Sequence, residues 1–296
     1  MRQQAAPRWP VRFGLALLLA IACALYALPA SALDKQMVTL STQDGLLVAT
    51  FTDQADDAAL LAAIPELIAQ GVQVVSLHGT PVHDATPLER LVQLKSLDIC
   101  GTQVRSIEPL ARIPGLKSVN LQFLPVSDLT PLSGLSDLES LNLGGTEVRD
   151  LTPLAKLAHL HELVLAVTKV TDIGPLKNLW QLTTLDLGST SVSDISPLSG
   201  MMAMRDLNLN GTSIYDLRPL RNMTELRSLN LVGTKVRDIS PLAQLVKLET
   251  LDLEGTAVDD IAPLAGSVSL KSLNLGGSKV TDVTPLKSIP GLIVRR

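Results

Sequence analysis

The chain has 296 residues, of which 46% are hydrophobic and 18% are charged, and its net charge is −4. This acidic balance argues against nucleic acid as a partner, because nucleic-acid-binding proteins need a basic surface to neutralise phosphates. Two cysteines in the whole chain exclude a small fold held together by several disulfides.

Residues 1–32 have the pattern of a secretory signal peptide. Three arginines precede an apolar run over residues 13–28, and an Ala-Ser-Ala cleavage site ends at residue 32. The run is short for a membrane span, so we expect an exported mature chain, secreted or periplasmic, with no membrane span. A minor alternative is a lipid anchor at Cys23. Cleavage would leave 22 basic against 29 acidic residues, and Cys100 as the remaining cysteine.

Residues 33–71 differ in pattern from the rest of the chain and predict an N-terminal cap. Two runs typical of strands, residues 37–42 and 46–51, flank Asp44 and Gly45, which favour a tight hairpin turn. Residues 53–70 are rich in alanine and leucine and end at Gly71, which predicts a helix. A hairpin and a helix at this place would cover the apolar end of a stack of repeats.

Residues 72–296 consist of about ten copies of a 22-residue repeat. In the copy LNLVGTKVRDISPLAQLVKLET, Leu229 and Leu231 alternate with polar positions, as in a short strand with one buried face. Ser240 and Pro241 are predicted to be the N-cap and first residue of a helical turn. Because one coil cannot bury its apolar residues alone, the coils are expected to stack into a solenoid. The prolines recur without a slip at Pro87, Pro109, Pro131, Pro153, Pro175, Pro197, Pro219, Pro241, Pro263 and Pro285.

The spacing L-x-L-x-x-T-x-V-x-D-I-x-P-L-x-x-L-x-x-L resembles the 22-residue leucine-rich repeat of bacterial internalins, over roughly residues 72–292. The resemblance implies the α/β class: a leucine-rich-repeat solenoid, or horseshoe, with a parallel sheet on its concave face. Short helical or 3₁₀ turns would form the convex face. It also implies recognition of a host or envelope protein on the concave face, without a cofactor.

Two polar columns are interpreted as structural. A threonine at the turn after each strand can donate its hydroxyl to nearby backbone, and an aspartate two residues before the helical turn can accept backbone N–H groups. We therefore do not expect the aspartates to bind cations. The threonines are Thr80, Thr102, Thr146, Thr168, Thr190, Thr212, Thr234 and Thr256, and the aspartates are Asp84, Asp128, Asp150, Asp172, Asp194, Asp216, Asp238, Asp260 and Asp282.

The strand residues that point away from the core are the candidate partner-binding surface. With neighbouring coils about 4.8 Å apart, ten strands would extend over roughly 43 Å. One hypothesis is that this polar to acidic surface holds a protein partner by hydrogen bonds, and the alternative is that it only solvates the sheet. The candidate residues are Asp98, Asn120, Asn142, Glu162, Asp186, Asp206, Asn208, Asn230 and Asp252.

Two coils depart from the repeat with apolar residues. The third coil has Gln122, Phe123 and Leu124 where its neighbours have any residue followed by glycine and threonine. The fifth coil has Val164 and Val167 at positions otherwise occupied by polar residues or glycine. An exposed apolar cluster is typical of an interaction site, and drift of the repeat with local repacking is the alternative.

These features predict a monomeric, non-enzymatic scaffold that binds a protein partner. A carbohydrate-active hydrolase or glycan-binding protein is the alternative, because Asp186 and Asp206 lie on neighbouring strands and paired carboxylates cleave glycosides. The surface lacks an aromatic sugar platform and an evident way to raise the pKa of one acid. An ice-contacting surface on the threonine column is a third hypothesis. The four histidines match no recognised zinc spacing, so no metal site is predicted.

Overall fold

The computed structural model describes residues 37–296, so the predicted signal peptide and Cys23 lie outside the described residues. These residues form a sheet of thirteen strands in which each strand lies beside the next in chain order. The strands are β1 Val38–Gln43, β2 Leu46–Phe51, β3 Val74–Ser76, β4 Ser96–Asp98, β5 Ser118–Asn120, β6 Ser140–Asn142, β7 Glu162–Val164, β8 Thr184–Asp186, β9 Asp206–Asn208, β10 Ser228–Asn230, β11 Thr250–Asp252, β12 Ser272–Asn274 and β13 Ile293–Arg295. The first pair is antiparallel, and every later pair is parallel.

Each coil returns through a short 3₁₀ turn with proline as its second residue. Serine or threonine before that proline was predicted to be an N-cap, and this prediction is wrong. Thr130, for example, is itself the first residue of its turn, and the preceding Leu129 makes no side-chain capping bond. The turns are Thr86–Arg90, Glu108–Arg112, Thr130–Leu132, Thr152–Leu154, Gly174–Asn178, Ser196–Leu198, Arg218–Leu220, Ser240–Leu242, Ala262–Gly266 and Thr284–Leu286.

The aspartate column takes over the capping role. In nine coils the aspartate carboxylate accepts the backbone N–H of the residue two positions later, at 2.7–2.9 Å. That N–H belongs to the first residue of the 3₁₀ turn, where no backbone acceptor is available within the turn. The structural interpretation of this column is therefore confirmed.

The core is a continuous ladder of leucine, isoleucine and valine through all the coils. In the coil at residues 141–154, Leu141, Leu143, Val148, Leu151 and Leu154 are each at most 1% exposed. The threonine column borders this core, and its hydroxyls donate to the carbonyl three residues earlier at 2.6–2.8 Å, as does a serine in the tenth coil. The predicted threonine ladder is confirmed.

The hairpin and the helix at the N-terminal end are present where the sequence predicted them. Strand β2 pairs in parallel with β3, so the hairpin covers the edge of the first coil. Helix α1, Asp57–Gln70, begins after Asp56, whose carboxylate accepts the N–H of Ala59 at 2.9 Å, and ends at Gly71 with φ of 69°. The role of the hairpin and helix α1 as a cap of the solenoid stays a prediction. Within residues 37–296, no helix has the length and apolarity needed to cross a bilayer.

Acid should weaken the fold through the aspartate turns. Hydroxyl and N–H donors hold the pKa of Asp128, Asp150 and Asp238 below the ordinary value of 3.8 in the folded chain. As the pH falls, these carboxylates therefore bind protons in the unfolded chain at a higher pH than in the folded chain. The stability that they contribute is present above the ordinary pKa, and it is lost as the pH falls from there to the lowered pKa values of the folded chain.

The triple variant Asp128→Asn, Asp150→Asn and Asp238→Asn keeps an oxygen acceptor at each turn but cannot titrate there. Its urea midpoint should fall less steeply than that of the wild type between about pH 5 and pH 3. Identical acid dependence in the two proteins would show that these turns do not contribute to it.

Candidate functional site

The sheet face is defined here as the surface formed by the strand side chains that point away from the core. In strands β3 to β12 the middle residue lies in the core, so the first and third residues point to the sheet face. The parallel pairing is in register, which aligns equivalent residues of successive coils in straight columns. Asn142, for example, lies between Asn120 and Val164.

The column of third strand residues is mostly covered by its neighbours. Asp98 and Asn208 are half-buried, and the buried asparagines and aspartates are Asn142 at 2% exposure, Asn230 at 3%, Asp252 at 6%, and Asn120 and Asp186 at 8%. In eight coils the side-chain oxygen accepts the backbone N–H two residues later, at 2.8–3.2 Å. This N–H lies just beyond the end of the strand.

Side chains of this column also bond one another between coils. The amide of Asn208 donates to Oδ1 of Asp186 at 2.9 Å, and the amide of Asn274 donates to Oδ2 of Asp252 at 3.3 Å. In these eight coils, one side-chain oxygen that was predicted to bind a partner is thus already hydrogen-bonded within the fold. The structure favours a structural role for the buried members of the column, whereas Asn208 is half-buried.

Burial changes the acidity of three column residues. It raises the pKa of Asp98, Asp186 and Asp252 above the ordinary value, although backbone N–H donors act in the opposite direction. The expectation that this surface has no evident way to raise the pKa of an acid is therefore wrong. Pairing places Asp186 opposite Asn208 and Asp206 opposite Thr184, so the two acids of the hydrolase alternative lie diagonally on adjacent strands.

Two of the apolar residues expected on the surface are buried. Leu124 is 1% exposed because it occupies the inward-facing column that holds threonine in the neighbouring coils. Val164 is 6% exposed because strands β6 and β8 lie on both sides of it. The prediction that these two side chains are available to a partner is wrong. Gln122 is half-buried, and its Oε1 lies 3.5 Å from the amide nitrogen of Asn142.

Phe123 and Val167 remain in water. They are 63% and 60% exposed, and each occupies the turn position three residues beyond the last residue of its strand. The Phe123 ring lies over Gly145 of the intervening coil, where an added Cβ would be 2.5 Å from a ring carbon. Phe123, Gly145 and Val167 are called the apolar patch below. Across two coil spacings the patch extends over roughly 10 Å.

The backbone of the apolar patch is strained. Phe123 and Val167 have φ of 63° and 60°, in the left-handed region that glycine occupies in seven other coils. A non-glycine residue in this region costs about 1–2 kcal/mol, and a β-branched residue is a rare outlier there. Ser189, in the next coil, has φ of 56°. The sequence signal for this strain is the replacement of a repeated glycine.

Polar side chains remain partly accessible at the end of the strands opposite the patch. Glu162 and Asp206, at the first position of their strands, are half-buried, and Glu162 accepts a hydrogen bond from the hydroxyl of Ser140 at 3.3 Å. A charged column borders the strands on this side, with an ion pair of 2.6 Å between Lys117 and Glu139. The predicted roles of Glu162 and Asp206 in partner binding stay predictions.

The structure also assembles a group that the sequence search missed. His78, Asp98 and Cys100 place their ligand atoms within 4.8 Å of one another. His78 and Cys100 are separated by one repeat length, so they occupy equivalent positions in adjacent coils. Known zinc motifs place their ligands a few residues apart, so they do not reveal this group. Comparison of residues 22 positions apart would have revealed it.

The described fold matches known proteins. A family model for leucine-rich repeats, in two copies, matches residues 158–200. The solved structure of an internalin, InlF of Listeria monocytogenes, is 28% identical over 81% of this chain and 70% of that one, with a TM-score of 0.75. The 22-residue coils are similar to the leucine-rich repeats of internalins. The fold class and the resemblance inferred from the sequence are confirmed.

Other leucine-rich-repeat structures extend the comparison. Internalin C2 of Listeria monocytogenes is 29% identical, covers 80% of this chain and 92% of that one, and has a TM-score of 0.59. The ectodomain of the receptor kinase GASSHO1/SCHENGEN3 of Arabidopsis thaliana, solved in complex with Casparian strip integrity factor 2, shares the fold at 16% identity. It covers 83% of this chain and 33% of that one, with a TM-score of 0.69. No curated protein sequence matches the chain.

Removing a buried asparagine of the sheet face should weaken the fold. Asn142→Ala takes away the 2.9 Å acceptor of the Gly144 N–H, and an unsatisfied buried donor costs about 1–3 kcal/mol of unfolding free energy. Asn142→Asp keeps an acceptor, as Asp186 does in its own coil, and should cost less. The measurement is urea denaturation, with Glu147→Ala on an exposed turn as the control. Equal stability of Asn142→Ala and the control would contradict the structural role.

Proposed function

We propose that the protein is an exported, non-enzymatic scaffold that binds a protein partner on its concave sheet face, with Phe123 and Val167 as the anchors. The observation that carries this proposal is the strained exposure of the two residues. Glycine would satisfy the same backbone without strain, as it does in seven other coils. The two bulky side chains are exposed to solvent and contribute little to core packing. Contact with a partner would explain why they are present.

The surroundings of the apolar patch suit a protein partner. Binding hot spots combine an aromatic or aliphatic anchor with a polar rim that stays hydrated. Phe123 supplies the aromatic anchor, Val167 extends it by two coils, and Glu162 and Asp206 supply polar groups at the start of strands β7 and β9. The sheet face, roughly 43 Å long, is wide enough for a partner the size of a domain.

The comparisons support a macromolecular partner rather than a small molecule. The plant receptor of the same fold is in complex with a named factor, Casparian strip integrity factor 2. Export rests on the pattern of residues 1–32, and the partner that we propose is accordingly an envelope or host protein.

The hydrolase remains the second candidate because burial raises the pKa of Asp186, a property that a general acid needs. Its Oδ1, however, accepts hydrogen bonds from the N–H of Gly188 and the amide of Asn208. These bonds hold the carboxylate within the ladder. Turnover on a panel of polysaccharides that Asp186→Asn abolishes would replace the scaffold proposal with the enzymatic one.

Replacing Val167 with glycine should separate stability from binding. Val167→Gly relieves the strain at φ of 60°, offset in part by the freedom that glycine adds to the unfolded chain, so the net gain in unfolding free energy should be about 0.5–1 kcal/mol. Partner capture should weaken in the same variant. Urea denaturation and capture from envelope and host-cell extracts measure the two effects. A gain in stability with unchanged capture would support drift of the repeat instead.

Truncating the aromatic anchor should weaken capture more strongly. Loss of a hot-spot aromatic costs about 2 kcal/mol or more, so Phe123→Ser should lower the affinity for the captured protein by roughly 30-fold. Trp180→Ser is the matched control, because Trp180 is equally exposed at 63% and lies beyond a 3₁₀ turn, away from the strands. Loss of capture in the Trp180 variant with full capture by the Phe123 variant would place the interface on the other side of the solenoid.

A further inference from the structure

We propose that His78, Asp98 and Cys100 form a binding site for a divalent transition-metal ion of the Zn²⁺ class, where strands β3 and β4 end in the first two coils. This site is separate from the apolar patch. It goes beyond the scaffold role, because ion binding here requires no protein partner.

The repeat brings the three side chains together. His78 lies two residues beyond strand β3, and Cys100 lies at the equivalent place beyond β4, so the two side chains are stacked on adjacent coils. Asp98 is the last residue of β4 and pairs with Ser76. The imidazole nitrogen Nδ1 of His78 is 4.0 Å from Oδ2 of Asp98, and all three residues offer ligand atoms within 4.8 Å of one another.

The separations are close to those of a metal site. Bonds of about 2.0–2.3 Å in a tetrahedral zinc site hold ligand atoms roughly 3.3–3.8 Å apart. The remaining closure is about 1.5 Å or less, and the His78 side chain, 66% exposed, has room to move by that amount. The other two ligands are held by the fold, since Oδ1 of Asp98 accepts the N–H of Cys100 at 3.0 Å. Asn120 also hydrogen-bonds the Asp98 side chain, which orients it further.

The donor set selects the class of ion. Thiolate and imidazole favour ions of the zinc class, whereas Ca²⁺ and Mg²⁺ prefer oxygen ligands. The Oε1 of Gln122, on the next coil, is 3.8 Å from the sulfur of Cys100. This oxygen accepts a hydrogen bond from the Cys100 thiol and so can orient it. Three protein ligands with one open position are typical of zinc sites that also bind water or a further ligand.

Metal binding would explain why a free cysteine is buried at this position. Burial and the nearby Asp98 raise the pKa of Cys100 to about 11, so at neutral pH it is a thiol of low reactivity. A metal ion replaces that proton, and binding therefore releases a proton to the solvent. The same burial protects the bound sulfur from oxidants, while the exposed His78 leaves a path for the ion to enter.

The test uses the full chain, reduced and metal-free, with Cys23→Ser so that Cys100 is the one cysteine that remains. Zn²⁺ titrated by calorimetry should bind one ion per chain, and repeating the titration in buffers of different ionisation enthalpy should detect the released proton. Co²⁺ should produce a sulfur-to-metal charge-transfer band. Cys100→Ser, which preserves the shape of the side chain, and His78→Ala should each lower Zn²⁺ affinity by about 100-fold or more.

Controls keep the result specific to the site. His161→Ala, on a half-buried histidine of the fifth coil, should leave Zn²⁺ affinity unchanged. Circular dichroism and urea denaturation of each variant check that the solenoid remains folded. A chain that binds no Zn²⁺ and shows no cobalt charge-transfer band would overturn the proposal. Wild-type affinity in the Cys100 or the His78 variant would do the same, because the ion would then be held elsewhere.

Discussion

The structure depends on the in-register stacking of coils of equal length. Each repeat contributes a strand of three residues and a few leucines, too little to fold alone, so both its core and its backbone hydrogen bonds are completed by its neighbours. The N–H of Leu121 donates to the carbonyl of Asn142 in the next coil at 2.8 Å, and equivalent bonds recur along the stack. A constant repeat of 22 residues keeps these bonds and the core leucines aligned.

The polar columns follow from the same constraint. Every coil has backbone groups at its turns that the sheet cannot pair, and three kinds of side chain satisfy them. Threonine hydroxyls donate to carbonyls of residues earlier in the chain, while aspartate and asparagine oxygens accept N–H groups of residues later in the chain. Repetition of a polar residue in this protein is therefore evidence of structure. Departures from the repeat identify candidate sites of function.

The candidate sites are departures of this kind, and each has a distinct physical basis. At Phe123 and Val167, bulky residues occupy a backbone conformation that suits glycine and expose apolar surface. At His78 and Cys100, two metal-binding residue types are stacked in one column by the coil spacing. The patch is proposed to hold a protein, and the His-Asp-Cys group is proposed to hold an ion.

The sequence by itself determined the repeat, the strand positions, and the threonine and aspartate ladders, because equal spacing places equivalent residues in one column and each ladder depends on local contacts along the chain. The tertiary structure alone decided how far neighbouring coils cover a side chain. It buried Asn142 and Val164, turned Leu124 into the core, and left Phe123 in water. It also brought His78 to Cys100. Spacing assigns a residue to a column, whereas burial and contact depend on the size and direction of the side chains stacked on either side.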